Sequence, residues 1–247
     1  MPTRLLYLLA FCSGFAALSY QVAWSRMLSL TFGSSTLAVS SVVAGFMGGM
    51  GIGAWAYHRV QARVSSPLRL YAALELAIAV SAIGLTFVLE RLPPVFAILL
   101  KSLPESAGGG AVVVRILGAI AILLLPTALM GATYPALCSV AISNRDGLDR
   151  HLGSLYGWNT IGAAAGGLVA GILLIPALGL NGAIGIGVGL NLAVGAAALA
   201  LDARRPVVAA PATEPEGVEA EQVLRSRLPV GVTGAVLFLS GLTTLAY

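Results

Sequence analysis

Leu5 to Trp24 reads LLYLLAFCSGFAALSYQVAW, a run of apolar and small residues without a charged side chain. As an α-helix it rises about 1.5 Å per residue and so reaches about 30 Å, the thickness of a bilayer's hydrocarbon core. Nothing in that core hydrates backbone amides, so a segment that crosses it must satisfy them internally, and a continuous apolar run does this as a helix. Five more such runs follow, near Thr36 to Tyr57, Leu68 to Leu89, Val112 to Ala136, Leu152 to Ile175 and Ala183 to Leu201. The beginning of the first run then returns: LLAFCSGFAALSY at Leu8 to Tyr20 and AVLFLSGLTTLAY at Ala235 to Tyr247 share Phe, Ser, Gly, Leu and Tyr in register. The expected fold class is an all-α integral membrane protein. Residues 1–205 form a six-helix transmembrane bundle, 206–228 a linker, and 229–247 the start of a seventh span that opens a second repeat and is expected to be cut off.

Composition agrees. Of the chain, 58% is hydrophobic and only 10% charged, and the mean hydropathy of +0.93 leaves too little polar surface for a water-facing exterior. The first run is too long for a signal-peptide core, and its later copy stands where no signal acts. Cys12 and Cys138 fall in separate spans, with neither disulfide nor metal-ligand spacing. No cofactor or metal site is expected.

Basic residues set the orientation, because Lys and Arg near span ends stay cytoplasmic. With the N-terminus inside, the cytoplasmic segments hold Arg4, Arg59, Arg63, Arg69, Arg145, Arg150, Arg204, Arg205, Arg225 and Arg227, whereas the far side holds Arg26, Arg91, Lys101 and Arg115. Topology therefore accounts for the net charge of +4, and a nucleic-acid partner is not expected. The location implied is the inner membrane, multi-pass, N-terminus cytoplasmic. Pro93-Pro94 is expected to end the third helix, with the apolar piece from Val95 to Leu103 as a short helix lying on the outer leaflet. The linker carries Pro206, Pro211 and Pro215 among glutamates and alanines, a composition that builds no core.

Six spans, a cytoplasmic linker and a second copy is the layout of a transporter made of two six-helix halves. Four local patterns sharpen this. They are Ser13-Gly14-Phe15 through Tyr20-Gln21-Val22-Ala23-Trp24-Ser25-Arg26; Phe46-Met47-Gly48-Gly49-Met50-Gly51-Ile52-Gly53; Pro126-Thr127-Ala128-Leu129-Met130-Gly131-Ala132-Thr133-Tyr134-Pro135; and Gly153-Ser154-Leu155-Tyr156-Gly157-Trp158-Asn159-Thr160. Together they resemble the membrane domain of the spermidine-synthase-like family, whose bundle is similar to half of a major-facilitator-like fold. The resemblance implies a transporter-like or scaffold role linked to polyamines or related small cationic metabolites. It also implies a partner, a soluble aminopropyltransferase-like domain; membrane lipids follow from the apolar spans, and other membrane subunits are the partners if smooth helix faces bind a larger complex. No catalytic domain is expected in this chain. The one glycine-rich match to a nucleotide-binding turn, Gly49-Met50-Gly51-Ile52-Gly53-Ala54, lies inside a span with no acid before Glu75, a context that suits helix packing.

Glu75 is the only acid well inside a predicted span. An ionised carboxylate in lipid costs several kcal/mol unless it faces protein, water or a partner. It is therefore the leading candidate for binding a cation or for proton coupling, with Gln21 and Asn159 as candidate network partners. The bland alternative is a carboxylate that reaches back to the interface and pairs with Arg69 or Arg145. Tyr20 and Trp158 could offer aromatic faces to a cation, although aromatics near span ends are commonly anchors. Pro126 and Pro135 each remove a backbone donor and are expected to kink the fourth span. The freed carbonyls, with Thr127 and Thr133, could hold an ion or water or could simply satisfy one another. Gly153 and Gly157, Gly162 and Gly166, and Gly167 and Gly171 are each four apart and predict close helix packing along the fifth span.

Three readings compete: the spermidine-synthase-like module, a secondary transporter half, and a non-catalytic structural subunit of a larger membrane complex. Against the second, Tyr57-His58-Arg59-Val60-Gln61-Ala62-Arg63 lacks the acid of the usual Gly-Asp-Arg loop.

Overall fold

The computed structural model describes residues 3–32, 36–101, 108–142 and 148–204. The expected linker, the seventh span and Arg145 lie outside them. The described residues are almost entirely helical: α1 (Thr3–Phe32), α2 (Thr36–Val60), α3 (Pro67–Lys101), α4 (Gly108–Ile142), α5 (Leu148–Val169) and α6 (Ile175–Ala203). A 3₁₀ turn, Gln61–Arg63, follows α2, and a π turn, Ala170–Leu174, joins α5 to α6 without a loop. Local chemistry fixes several ends. Ser66 caps α3, its hydroxyl accepting from the Arg69 amide at 3.3 Å, with Pro67 at the first helical position where its missing N–H costs nothing. Arg59 lies in the last turn of α2, where its positive charge suits the exposed carbonyls.

Four stretches are long and apolar enough to cross a bilayer: Thr3–Leu30, Pro67–Val95, Leu117–Ala141 and His151–Ala203. This marks a membrane protein. It does not give the expected count of six separate spans: the second run, α2, is not among the four, and the fifth and sixth runs form one continuous helical stretch of 53 residues. The break inside it is Gly179, whose φ of 73° lies in the left-handed region that only glycine enters without strain.

The expected end of α3 at Pro93-Pro94 is also corrected. The helix runs through both prolines to Lys101, so the piece beginning at Val95 is its last turns and not a separate interfacial helix. Two prolines remove only the bonds to the carbonyls of Leu89 and Glu90, and both rings are exposed. Leu89 and Leu92 beside them are buried in the core, and that packing outweighs the local preference to stop. Pro126 and Pro135 likewise lie within an unbroken α4.

The helices associate as three principal pairs, α1 with α5, α2 with α4 and α3 with α6, with α1 also against α6 and α3 against α4. Contact register gives their directions. Along α1 and α5 the offset stays nearly constant, 144 for Tyr7 and His151, 149 for Ala10 and Asn159, 147 for Ser19 and Gly166, so the two run parallel. Between α3 and α6 it falls from 136 at Ser66 and Asp202 to 116 at Glu75 and Asn191 and 91 at Glu90 and Asn181, which is antiparallel. On α2 and α4, Gly45 meets Ile120, Gly49 meets Thr127, Gly53 meets Ala128 and Tyr57 meets Ser139, again parallel. These three relations are what helices of alternating direction require.

Two apolar clusters stack along the bundle. One gathers Trp24, Phe46, Ile78 and Leu123; the other gathers Leu9, Tyr57, Tyr71, Leu137 and Leu155. The outer faces stay apolar too, with Leu30, Trp55, Val80, Phe87, Leu125 and Ile172 all more than half exposed, a pattern suited to a hydrocarbon surround.

Candidate functional site

Glycine makes the approach between helices close enough to build a site. A Cβ on Gly162 or Gly166 would run into the backbone carbonyls of Phe11 or Phe15, one on Gly14 into the Asn159 carbonyl, and one on Gly131 into Met50. The α1–α5 and α2–α4 pairs therefore meet backbone to backbone. Between the pairs lies a cavity of about 390 Å³, its wall including Ser13, Met50, Thr133, Tyr156, Asn159 and Asn191.

Behind that wall stands the buried polar network of the bundle. Glu75 of α3 is completely buried. Its Oε2 accepts from Asn191 Nδ2 of α6, and Asn191 Oδ1 accepts from the Tyr20 hydroxyl of α1 at 2.8 Å. Three helices are thus joined by one chain of hydrogen bonds. The Tyr20 ring stacks on Trp24, centroids 4.9 Å apart and planes 9° from parallel. Gly187 gives it room, since a Cβ there would stand 2.8 Å from the ring. The hydroxyls of Ser13 and Tyr71 lie near the carboxyl, while Tyr71 donates to the Leu9 carbonyl at 3.3 Å. Even so, Glu75 Oε1 lacks a well-formed hydrogen bond, as does Trp24 Nε1. Buried polar atoms are rarely left so, because the missing bond costs about 1–3 kcal/mol. Glu75 itself does not line the cavity; Ser13 and Asn191 do.

Of the residues singled out from the sequence, Glu75 and Tyr20 belong to this network. Asn159 and Thr133 lie on the cavity wall, with the Asn159 amide donating to the Ala10 carbonyl at 3.0 Å and the Thr133 hydroxyl to the Met130 carbonyl at 2.7 Å. Gln21 is half-buried and takes no part. Thr127 is fully buried away from the cavity against Gly49, donating to the Leu123 carbonyl at 2.7 Å. In both threonines the hydroxyl proton is spent within its own helix. Trp158 is 45% exposed and meets Phe11 edge-on outside the cavity. Glu75 does not pair with Arg69, which is held by Asp202 at 2.9 Å.

The glycine strips also divide. Gly162 and Gly166 make the close contacts expected; Gly167 and Gly171 stand at ordinary distance from Leu18 and Val22, and Gly153 and Gly157 meet nothing within 4 Å. Gly49 and Gly53, in the α2 run expected to serve helix packing, press against Thr127 and Ala128 of α4, whereas the tight partners that sequence reasoning missed are Gly14 and Gly131. It also missed Asn191, whose signal was an isolated amide in the apolar run Gly185-Ile186-Gly187-Val188-Gly189-Leu190-Asn191-Leu192-Ala193.

Among the described residues, no three His, Cys, Asp or Glu side chains gather as metal ligands. Comparison with protein-family models, with curated proteins and with solved structures finds no match to this chain.

Proposed function

We propose that the chain is a multi-pass inner-membrane module, the N-terminus cytoplasmic, that takes a small organic cation into the cavity between its helix pairs, with Glu75 as counter-charge. The observation that carries this reading is a fully buried carboxylate with one oxygen lacking a well-formed hydrogen bond, bonded through its other oxygen to Asn191, which lines the cavity. Intramembrane acids are functional by default, since their burial is otherwise costly. The resemblance to the spermidine-synthase-like family makes polyamines the first ligands to test.

The packing supports a half of a major-facilitator-like bundle. Exchanging α1, α2 and α3 with α4, α5 and α6 turns the α1–α5 pair into the α4–α2 pair and the α1–α6 contact into the α4–α3 contact, and returns α3–α6 to itself. That is the relation expected of two inverted three-helix repeats. The test is thermal unfolding of the detergent-purified protein with spermidine or putrescine, against sodium chloride of equal ionic strength. The expected result is a rise in Tm with the amines that Glu75→Gln abolishes; no rise, or a rise that survives the substitution, overturns the reading.

A second reading, a structural subunit of a larger membrane complex, is favoured by one observation. Gly48 on α2 and Gly153 and Gly157 on α5 face open space outside the cavity, where another helix could approach closely. Co-purification of a stoichiometric membrane partner without any amine response would select it.

A further inference from the structure

Trp158 lies outside the cavity for a reason: it walls a groove on the outer surface of the α1–α5 pair. The groove has a volume of about 450 Å³ and is formed by Arg4, Tyr7, Leu8, Phe11 and Trp158. Arg4, Leu8 and Phe11 follow one another at helical spacing along α1, and Trp158 meets Phe11 edge-on from α5, centroids 6.3 Å apart. Leu8 is 55% and Trp158 45% exposed, so these large apolar side chains present a cleft and not a filled surface. Chemistry is graded along it. At one end is the exposed Arg4 guanidinium, which forms no ion pair among the described residues. Next to it the Tyr7 hydroxyl is hydrogen-bonded to His151 Nδ1 at 2.9 Å. Beyond them the lining is aliphatic and aromatic.

From this gradient we infer that the groove is a binding site for an anionic phospholipid, the phosphate on Arg4 and the upper part of an acyl chain along Leu8, Phe11 and Trp158. The inference rests on the bilayer-embedded reading of the helices but not on Glu75 or the cavity. Charge complementarity chooses the ligand. A guanidinium carries a fixed positive charge and a donor fork that matches phosphate oxygens, and basic residues at the membrane surface favour anionic lipid by about 1 kcal/mol each. Dimensions agree as well. Arg4 and Phe11 are about 10 Å apart along the helix axis, a third of the roughly 30 Å hydrocarbon core, so the groove spans the headgroup level and the first part of a chain. Its apolar length selects a lipid over a free phosphate.

Native mass spectrometry of the full chain, released from micelles doped with equal amounts of phosphatidylglycerol and phosphatidylcholine of identical acyl chains, tests the proposal. The expected result is preferential retention of phosphatidylglycerol by about fivefold, the ratio that 1 kcal/mol gives. Arg4→Gln is expected to erase the preference and Arg4→Lys to keep most of it. Trp158→Ala should lower retention of both lipids alike, and glycerol phosphate added in excess should not compete. Equal retention of the two lipids by the unaltered chain, an undiminished preference in Arg4→Gln, or displacement by glycerol phosphate overturns the proposal. Arg4 is exposed, so its variants are expected to unfold at the same temperature as the parent in lipid-free detergent, which separates a lost site from a lost fold. Failure of the amine reading, by no rise in Tm or by a rise that survives Glu75→Gln, leaves this result untouched, and the reverse holds.

Discussion

At the scale of single residues, Asn191 organises the interior, because it serves both neighbours at once: its amide donates to Glu75 and its carbonyl accepts from Tyr20. Replacing it by leucine keeps the volume roughly constant but orphans the Tyr20 hydroxyl and the remaining bonded oxygen of Glu75. Each buried orphan costs about 1–3 kcal/mol. Tyr20→Phe orphans only the Asn191 carbonyl. Denaturant unfolding in detergent should therefore show Asn191→Leu losing about twice the stability lost by Tyr20→Phe, and the opposite order would refute the network's direction. Glu75 could be found from sequence because a charge inside an apolar run stands out against the cost of burying it. Its partner could not. An asparagine carries no charge to make it conspicuous, and the pairing spans 116 residues, so only the antiparallel register of α3 and α6 brings the two together. Gln21 and Asn159 were reasonable partners by residue type, yet polarity says nothing of which way a helix is turned about its axis.

At the scale of helices, two kinds of contact hold the bundle. The α3–α6 pair is fastened by polar side chains at its ends, Arg69 and Ser66 to Asp202 at one and Asn181 to Glu90 at 2.7 Å at the other. The α1–α5 and α2–α4 pairs instead rely on missing side chains. Lipid solvates leucine as well as a neighbouring helix does, so what association gains there is backbone approach and dispersion. It follows that glycine-to-alanine changes should separate by position. Gly166→Ala places a methyl against the Phe15 carbonyl, and forcing the helices apart is expected to cost about 1–3 kcal/mol. Gly153→Ala meets nothing within 4 Å and is expected to be neutral or to stabilise by up to about 1 kcal/mol, alanine being the better helix former. Thermal unfolding of the two variants side by side distinguishes them; equal losses would mean that α5 packs along its whole glycine face. Four-residue spacing predicted that face correctly as small but could not say which half of it touches α1. The proline pair in α3 shows the same limit from the other direction. Pro93 and Pro94 favour a stop, and only the burial of Leu89 and Leu92, a tertiary fact, carries the helix past them.

For the molecule as a whole, charge and packing give independent accounts of the same arrangement. Tyr7 with His151, Ser66 with Asp202 and Tyr134 with the Leu152 carbonyl bring the start of α1, the start of α3, the ends of α4 and α6 and the start of α5 to one end of the bundle. That end holds Arg4, Arg59, Arg63, Arg69 and Arg204, whereas Arg26 and Arg91 lie toward the other. The arginine bias read from sequence thus coincides with an end defined by contacts that do not involve charge counting, and the proposed orientation assigns that end to the cytoplasm by the positive-inside tendency. The two accounts meet in one prediction. With Cys12 and Cys138 replaced by alanine, single cysteines at Arg4, Arg63 and Arg204, all exposed, should be protected from a membrane-impermeant maleimide in intact cells and react once the membrane is permeabilised. A cysteine at Asn181, exposed near the Gly179 break, should react in intact cells. Labelling of Asn181→Cys from the same side as Arg63→Cys would mean that the 53-residue stretch does not turn back at Gly179. Reversal of the whole pattern would leave the packing intact but place the N-terminus outside, and the arginines would then have to be held by something other than the positive-inside bias.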